Sequence, residues 1–108
     1  MAYTTTTTSP EPDRRVVDAT PGVQVLEFGT PWCGFCRNAQ PLIAGAFKAH
    51  PDVAHIKIED GSGRKLGRSF RIKLWPTLVF MRDGVEVARI VRPESQAQID
   101  QAFAQLPG

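Results

Sequence analysis

An apolar strand-like run, Val23-Gln24-Val25-Leu26-Glu27-Phe28, leads directly into Thr30-Pro31-Trp32-Cys33-Gly34-Phe35-Cys36, and an amphipathic helix pattern follows. This succession constrains the chain more than any other feature. It places the only two cysteines at a strand-to-helix turn, two residues apart. A thiol at a helix start faces unpaired backbone N–H groups and the positive end of the helix dipole, and both favour thiolate over thiol. A second thiol one turn on can attack the first sulfur once that sulfur is linked to another molecule. The pair therefore points to thiol–disulfide redox chemistry, with two small buried residues as the plainer alternative. Zinc needs about four ligands, and His50 and His55 do not complete a convincing set, so no metal is expected.

The surrounding patterns set the architecture. Ser9-Pro10-Glu11 reads as a helix start, with Ser9 as cap and Pro10 at the first helical position, and the helix runs to about Asp18 before Thr20-Pro21-Gly22 closes it. Val16 and Val17 are its only strong apolar anchors. After Cys33, helical spacing joins Ala39, Leu42, Ile43, Ala46 and Phe47, with Pro41 inside the helix predicting a kink. Val53 to Ile58 alternates, placing Ala54, Ile56 and Ile58 on one face and Val53, His55 and Lys57 on the other. Gly61-Ser62-Gly63 turns into a short helix from about Arg64 to Phe70. Pro76-Thr77 opens a strand over Leu78 to Met81, Arg82-Asp83-Gly84 is a hairpin signal, and Val85 to Val91 returns. Ser95 with Gln98 forms a capping box for a last helix carrying Ile99, Phe103 and Leu106, ended by Pro107 and Gly108. Residues 1–9, with Thr4 to Thr8 as a low-complexity stretch, form a flexible tail or an edge strand, and 10–108 form one domain. The fold class is α/β in the order βαβαβαββα. Strands alternating with helices predict parallel pairing, and the final hairpin adds an antiparallel edge, giving a mixed central sheet with helices on both faces.

Charge and hydropathy narrow the partners. A net charge of +2 with scattered basic residues excludes a strong case for nucleic acid. The densest basic stretch, Arg64 to Lys73, is interrupted by Leu66, Phe70 and Ile72 and reads as a solvated helix face. No apolar run approaches the roughly 18 residues of a membrane span, and the threonine-rich start lacks a signal-peptide pattern. A cytoplasmic protein without membrane insertion is expected, in which a close cysteine pair serves redox chemistry better than architecture.

Trp32-Cys33-Gly34-Phe35-Cys36 after a strand, Trp75-Pro76-Thr77 before the hairpin, and the element order together resemble the thioredoxin family, over Val23 to Leu106 continuously. The resemblance implies the thioredoxin fold and a protein-disulfide oxidoreductase in electron transport and cell redox homeostasis. It implies Cys33 as nucleophile, Cys36 as resolving cysteine, and Pro76 as a cis-proline whose loop offers backbone groups to an extended substrate. Glu27 matches the family's buried acid, which transfers a proton to the resolving cysteine. Burial by itself raises a carboxyl pKa, so a raised value is expected for Glu27, with pairing to Lys57 or His55 as its purely structural alternative. Trp32, Gly34, Phe35, Trp75, Pro76, Thr77 and Arg92 are the expected substrate contacts, and Trp75 has an alternative as a core aromatic.

Five residues depart from the family pattern. Glu27 is an aspartate in ordinary thioredoxin, and the extra methylene shifts the carboxyl relative to Cys36. Phe35 replaces a proline, restoring an N–H near the Cys33 sulfur, which should favour the thiolate and move the potential to the oxidising side of thioredoxin itself. His55 stands where a lysine often faces the acid, so it either couples to Glu27 or merely packs. Trp75 replaces a smaller residue before the cis-proline. Arg92 replaces a glycine at the groove rim. The expected partners are protein disulfides and, as electron donor, a reductase or small thiol. No bound cofactor is required, and a monomer suffices. The rival classes are a thioredoxin-fold binding or chaperone-like module, and an accessory subunit using the fold structurally.

Overall fold

The computed structural model describes residues 3–106. Its elements, in chain order, are α1 (Arg14–Ala19), β1 (Val23–Gly29), α2 (Gly34–Phe47), β2 (Ala54–Glu59), α3 (Lys65–Ser69), β3 (Thr77–Arg82), β4 (Val85–Val91) and α4 (Gln96–Phe103). The four strands form one sheet in the order β2-β1-β3-β4. β1 and β2 are parallel, whereas β3 runs antiparallel to both β1 and β4.

The antiparallel β1–β3 pair corrects the expectation that only the final hairpin would be antiparallel. A parallel crossover must carry the chain back along the sheet. A six-residue strand spans about 20 Å, but the five-residue α3 covers only about 7.5 Å. The chain therefore re-enters the sheet at the end where β2 left it. The consequence is functional: Phe28 of β1 pairs with Thr77 at the start of β3, and Thr77 pairs with Val91 at the end of β4. The turn after β1, the loop before β3 and the residue after β4 thus share one end of the sheet.

Period-two alternation divides the core. Val25, Leu78 and Phe80 pack with Ile43, Phe47, Ile99 and Phe103 beneath α2 and α4. Leu26, Phe28, Val79 and Met81 pack with Val17, Leu66 and Phe70 on the opposite face. Each fully buried side chain of this size stabilises the fold by ~1.5–3 kcal/mol. Glu27 takes the face of Val25, turned toward α2. Helices cover both faces, which is why β2 does not divide into a wet and a dry side: His55 and Ile58, on opposite faces of the strand, are both buried.

The first helix begins later than its sequence suggests. Asp13, not Ser9, is the N-cap, accepting from the Arg15 N–H, and α1 starts at Arg14. Pro12 removes an N–H and biases Glu11 toward extended backbone. Ser9-Pro10 is a cis peptide, and Glu11 is used elsewhere: its Oε1 accepts from the Lys65 and Leu66 N–H groups at 3.0 and 3.3 Å, capping α3. The opening β element reduces to a single parallel bridge, Thr7 to Lys57. The hairpin turn is as expected, with Asp83 and Gly84 at φ 50° and 81°. Gly84 is also required sterically, because a Cβ there would collide with the Asp18 carbonyl oxygen. The Ser95–Gln98 capping box forms at the start of α4. Pro107 and Gly108 lie outside the described residues.

Candidate functional site

The turn after β1 delivers Cys33 as the N-cap of α2, at φ −81° and ψ 118°. Its sulfur does what an N-cap oxygen usually does, accepting the Cys36 N–H at 3.3 Å. Both cysteines are free, Cys33 half-buried and Cys36 buried. Gly29 makes room for the inner sulfur, since a Cβ there would lie 2.6 Å from Cys36 Sγ.

The two thiols are electrostatically unequal. Burial pushes the Cys33 thiol up, but hydrogen bonds from Cys36 and from the Cys36 and Phe35 N–H groups, together with the Arg92 charge, leave it lowered. The same thiol pair works in the opposite sense on Cys36. Burial, the bond to Cys33, and the charges of Cys33 and Glu27 push it up to about 12. One sulfur, half-exposed, is poised toward the thiolate, and its buried neighbour is held as a thiol. The Phe35 N–H restored by the missing proline takes the part the sequence gives it.

The loop before β3 forms the second wall. Trp75-Pro76 is a cis peptide. The Trp75 carbonyl oxygen faces Cys33 Sγ at 4.0 Å and accepts from Arg92 Nε at 2.9 Å. Arg92, at φ 49°, lays its guanidinium 3.9 Å from the Phe35 ring centroid. Trp32 and Phe35 are 67% and 57% exposed, leaving an apolar surface around the thiol, and Gly34 is exposed between the cysteines. Trp75 is half-buried, its Nε1 donating to Asp60 Oδ2 at 2.9 Å. Thr77 requires a correction: it is 1% exposed and its hydroxyl donates to the Leu74 carbonyl, so it shapes the loop and presents no side chain to a substrate.

Glu27 lies under this turn, 3% exposed. Oε1 is 2.7 Å from His55 Nε2, while Oε2 accepts from Gln40 Nε2 at 2.9 Å and Lys57 Nζ at 3.3 Å. The expected raised pKa is overturned. Burial does push the carboxyl up, but the His55 hydrogen bond, the Lys57 charge and the Gln40 bond outweigh it, and the net shift is downward. His55 faces the acid directly. Among the described residues no hydrogen bond joins Glu27 to Cys36. A cavity of about 110 Å³ separates them, lined also by Thr5, Thr7, Thr30 and Lys57. Thr30 Oγ1 is buried there without a protein partner, a polar, roomy setting that suits water.

Sequence reasoning missed Gln40, Gly29, Tyr3 and Asp60. Gln40 had a signal: it stands one helical turn after Cys36, on the same face, and its Nε2 also donates to the Cys36 carbonyl at 2.9 Å. Tyr3, whose hydroxyl donates to Gln40 Oε1 at 2.7 Å, had none. Among the described residues no group of three or more His, Cys, Asp or Glu could hold a metal ion.

Comparison with known proteins agrees with this geometry. The thioredoxin family model matches residues 4–105. Thioredoxin H-type 1 of Nicotiana tabacum is 34% identical over 67 residues, which cover 62% of this chain and 53% of the relative; the match spans about half of that protein. Thioredoxin C-3 of Corynebacterium nephridii is 33% identical over 88 residues, covering 78% of this chain and 61% of its own. The solved structure of thioredoxin 2 from Pseudomonas aeruginosa PAO1 in its reduced form superposes with a TM-score of 0.84 at 52% identity over 94% of each chain. Because the family match runs across the sheet, the helices and the dithiol turn alike, the chain has the thioredoxin fold and belongs to the thioredoxin family.

Proposed function

We propose that this protein is a thiol–disulfide oxidoreductase acting on protein disulfides through Cys33 and Cys36. The observation that carries this reading is the split between the two thiols: a lowered, half-exposed Cys33 beside a buried Cys36 at about 12. Membership in the family and the placement of the cis Trp75-Pro76 loop beside Cys33 support it.

The Cys33 thiolate attacks one sulfur of a substrate disulfide. The substrate S–S bond breaks, one substrate thiolate leaves and takes a proton from solvent, and a Cys33–substrate mixed disulfide remains. Trp32, Gly34, Phe35, Trp75 and Pro76 surround the bound chain, and Arg92 yields the Trp75 carbonyl to it. Two influences holding Cys36 up, the hydrogen bond to Cys33 and its charge, vanish when the Cys33 sulfur becomes neutral. Cys36 then loses its proton across the cavity to ionised Glu27. Its thiolate attacks Cys33 Sγ, expels the second substrate thiolate and closes the Cys33–Cys36 disulfide. Two electrons pass from the dithiol to the substrate, and the reverse sequence oxidises a dithiol. The sulfur pair carries the electrons itself, so the exchange requires no bound cofactor.

A reductase or small thiol restores the dithiol, placing the protein in electron transport and cell redox homeostasis. A cytoplasmic monomer, with residues 10–108 as one domain, fits this role, and no described helix is long and apolar enough to cross a membrane. The test is disulfide reduction with dithiothreitol as regenerant. Cys33→Ser should abolish it, and Cys36→Ser should trap mixed disulfides. Undiminished turnover in Cys33→Ser would refute the reading.

A further inference from the structure

A cleft of about 540 Å³ opens beside Trp75, lined by Arg64, Arg68, Arg71 and Lys73 together with Asp60 and Trp75. In sequence these basic residues read as an ordinary solvated helix face; folded, they surround one concavity. Arg64 pairs with Glu59 at 3.3 Å. Arg68, Arg71 and Lys73 are exposed and have no carboxylate partner among the described residues. The one acid in the cleft, Asp60, is 8% exposed and turned inward, toward Gly67 and the Trp75 Nε1. The cleft therefore presents three uncompensated cations to solvent.

The backbone adds an independent sign. Arg71 holds the left-handed conformation, φ 58°, at the end of α3, where the Ile72 N–H returns to the Gly67 carbonyl at 3.0 Å. Glycine is favoured at this position of a helix end, and an arginine there costs about 1 kcal/mol. Arg92, bonded to the Trp75 carbonyl, is likewise left-handed at φ 49°. Backbone strain of this kind gathers at functional sites. Trp75 links the cleft to the chemistry: its carbonyl faces Cys33 Sγ, its Nε1 donates to Asp60, and both Trp75 and Asp60 line the cleft.

We propose that this cleft docks an acidic, extended segment of the disulfide-bearing partner, placing carboxylates on Arg68, Arg71 and Lys73 while the partner's cysteine meets Cys33. The proposal rests on the oxidoreductase reading above. Because Trp75 itself lines the cleft, an extended chain paired at its carbonyl lies next to the cleft. Carboxylates meeting free guanidinium and ammonium groups speed encounter and select against basic partners.

The experiment compares three synthetic disulfide peptides whose cysteine is flanked by glutamates, glutamines or lysines. Pre-reduced protein reduces each in single turnover, with bis(2-hydroxyethyl) disulfide as the uncharged control. At low salt the glutamate peptide should react about tenfold faster than the glutamine peptide, and the lysine peptide slower than both. The preference should vanish at about 0.5 M salt, where the Debye length falls to roughly 4 Å. Arg68→Glu/Lys73→Glu should remove it while reduction of the small disulfide stays unchanged. Arg71→Gly should weaken it while raising the melting temperature, a combination that a destabilised surface cannot produce. Equal rates for the glutamate and glutamine peptides, or a preference untouched in a folded Arg68→Glu/Lys73→Glu protein, would overturn the docking surface alone. Tighter binding of a single-stranded oligonucleotide than of the glutamate peptide would overturn it in favour of nucleic acid. Failure to reduce even bis(2-hydroxyethyl) disulfide would overturn the oxidoreductase reading and the docking surface with it.

Discussion

His55 Nε2 lies 2.7 Å from Glu27 Oε1, while its Nδ1 accepts the Thr4 N–H at 3.0 Å. The acceptor role of Nδ1 places the ring proton on Nε2, pointed at the carboxylate. The segment before α1 is thereby tied to the buried acid, and the Tyr3 ring stacks on His55 with centroids 5.3 Å apart. Nitrogen-15 NMR should show the Nε2–H tautomer for His55. An Nδ1–H ring would contradict the pairing.

His55→Ala removes the strongest of the influences that lower Glu27. The Glu27 carboxyl should move up, shifting the acid limb of the pH–rate profile to higher pH. Stability should fall by roughly 1–3 kcal/mol, the usual consequence of stripping a partner from a buried polar group. Urea denaturation and the pH profile measure the two effects separately, and an unaltered profile would return His55 to packing alone.

Because Glu27 is lowered in the fold, it stabilises the native state fully above the ordinary carboxylate value of about 4.3. That contribution is lost as pH falls through the lower folded value. Glu27→Gln should flatten this part of the acid-denaturation curve. It should also slow resolution of the mixed disulfide while leaving its formation unchanged, because Cys33 does not depend on Glu27. Rapid-quench kinetics distinguish the steps; equal slowing of both would place Glu27 in a structural role only.

Phe35→Pro deletes an N–H that helps lower Cys33. A hydrogen bond to a charged group contributes about 1.5–3 kcal/mol, and 30 mV corresponds to about 1.4 kcal/mol for this two-electron couple. The reduction potential should therefore fall by some ~30 mV or more. Equilibration with a glutathione buffer measures it, and an unchanged or higher potential would refute the donor argument.

Arg92→Gly removes a cation from beside Cys33 and the side chain that occupies the Trp75 carbonyl, and it relieves a left-handed arginine. The Cys33 thiol should move upward, lowering its alkylation rate near neutral pH. The KM for an extended peptide disulfide should fall, since the acceptor no longer has to be vacated. A raised KM would instead make Arg92 a direct substrate contact.

The sequence carried most of the fold because its signals are local. The strand over Val23 to Phe28, the Ser95–Gln98 box and the Asp83-Gly84 turn each depend on neighbours in the chain. Cys33 and Cys36 were legible for the same reason, with Trp75-Pro76 as the distant partner that gave them meaning. What escaped was long-range. The Glu27 pKa was expected in the wrong direction because the penalty burial places on its charged form is legible from the apolar run, but the three partners that outweigh it come from α2 and β2. The α1 start was misplaced because Glu11 caps a helix 54 residues away. The basic cleft was unreadable because α3 and the loop before β3 face one another only once folded.

The asymmetry of the two thiols is tested most directly by alkylating the reduced protein across pH and quantifying each cysteine by mass spectrometry. Cys33 should become reactive with a midpoint below the free-thiol value of about 8.5, while Cys36 stays protected until close to its value of about 12. Two cysteines titrating together near 8.5 at similar rates would contradict the site described here.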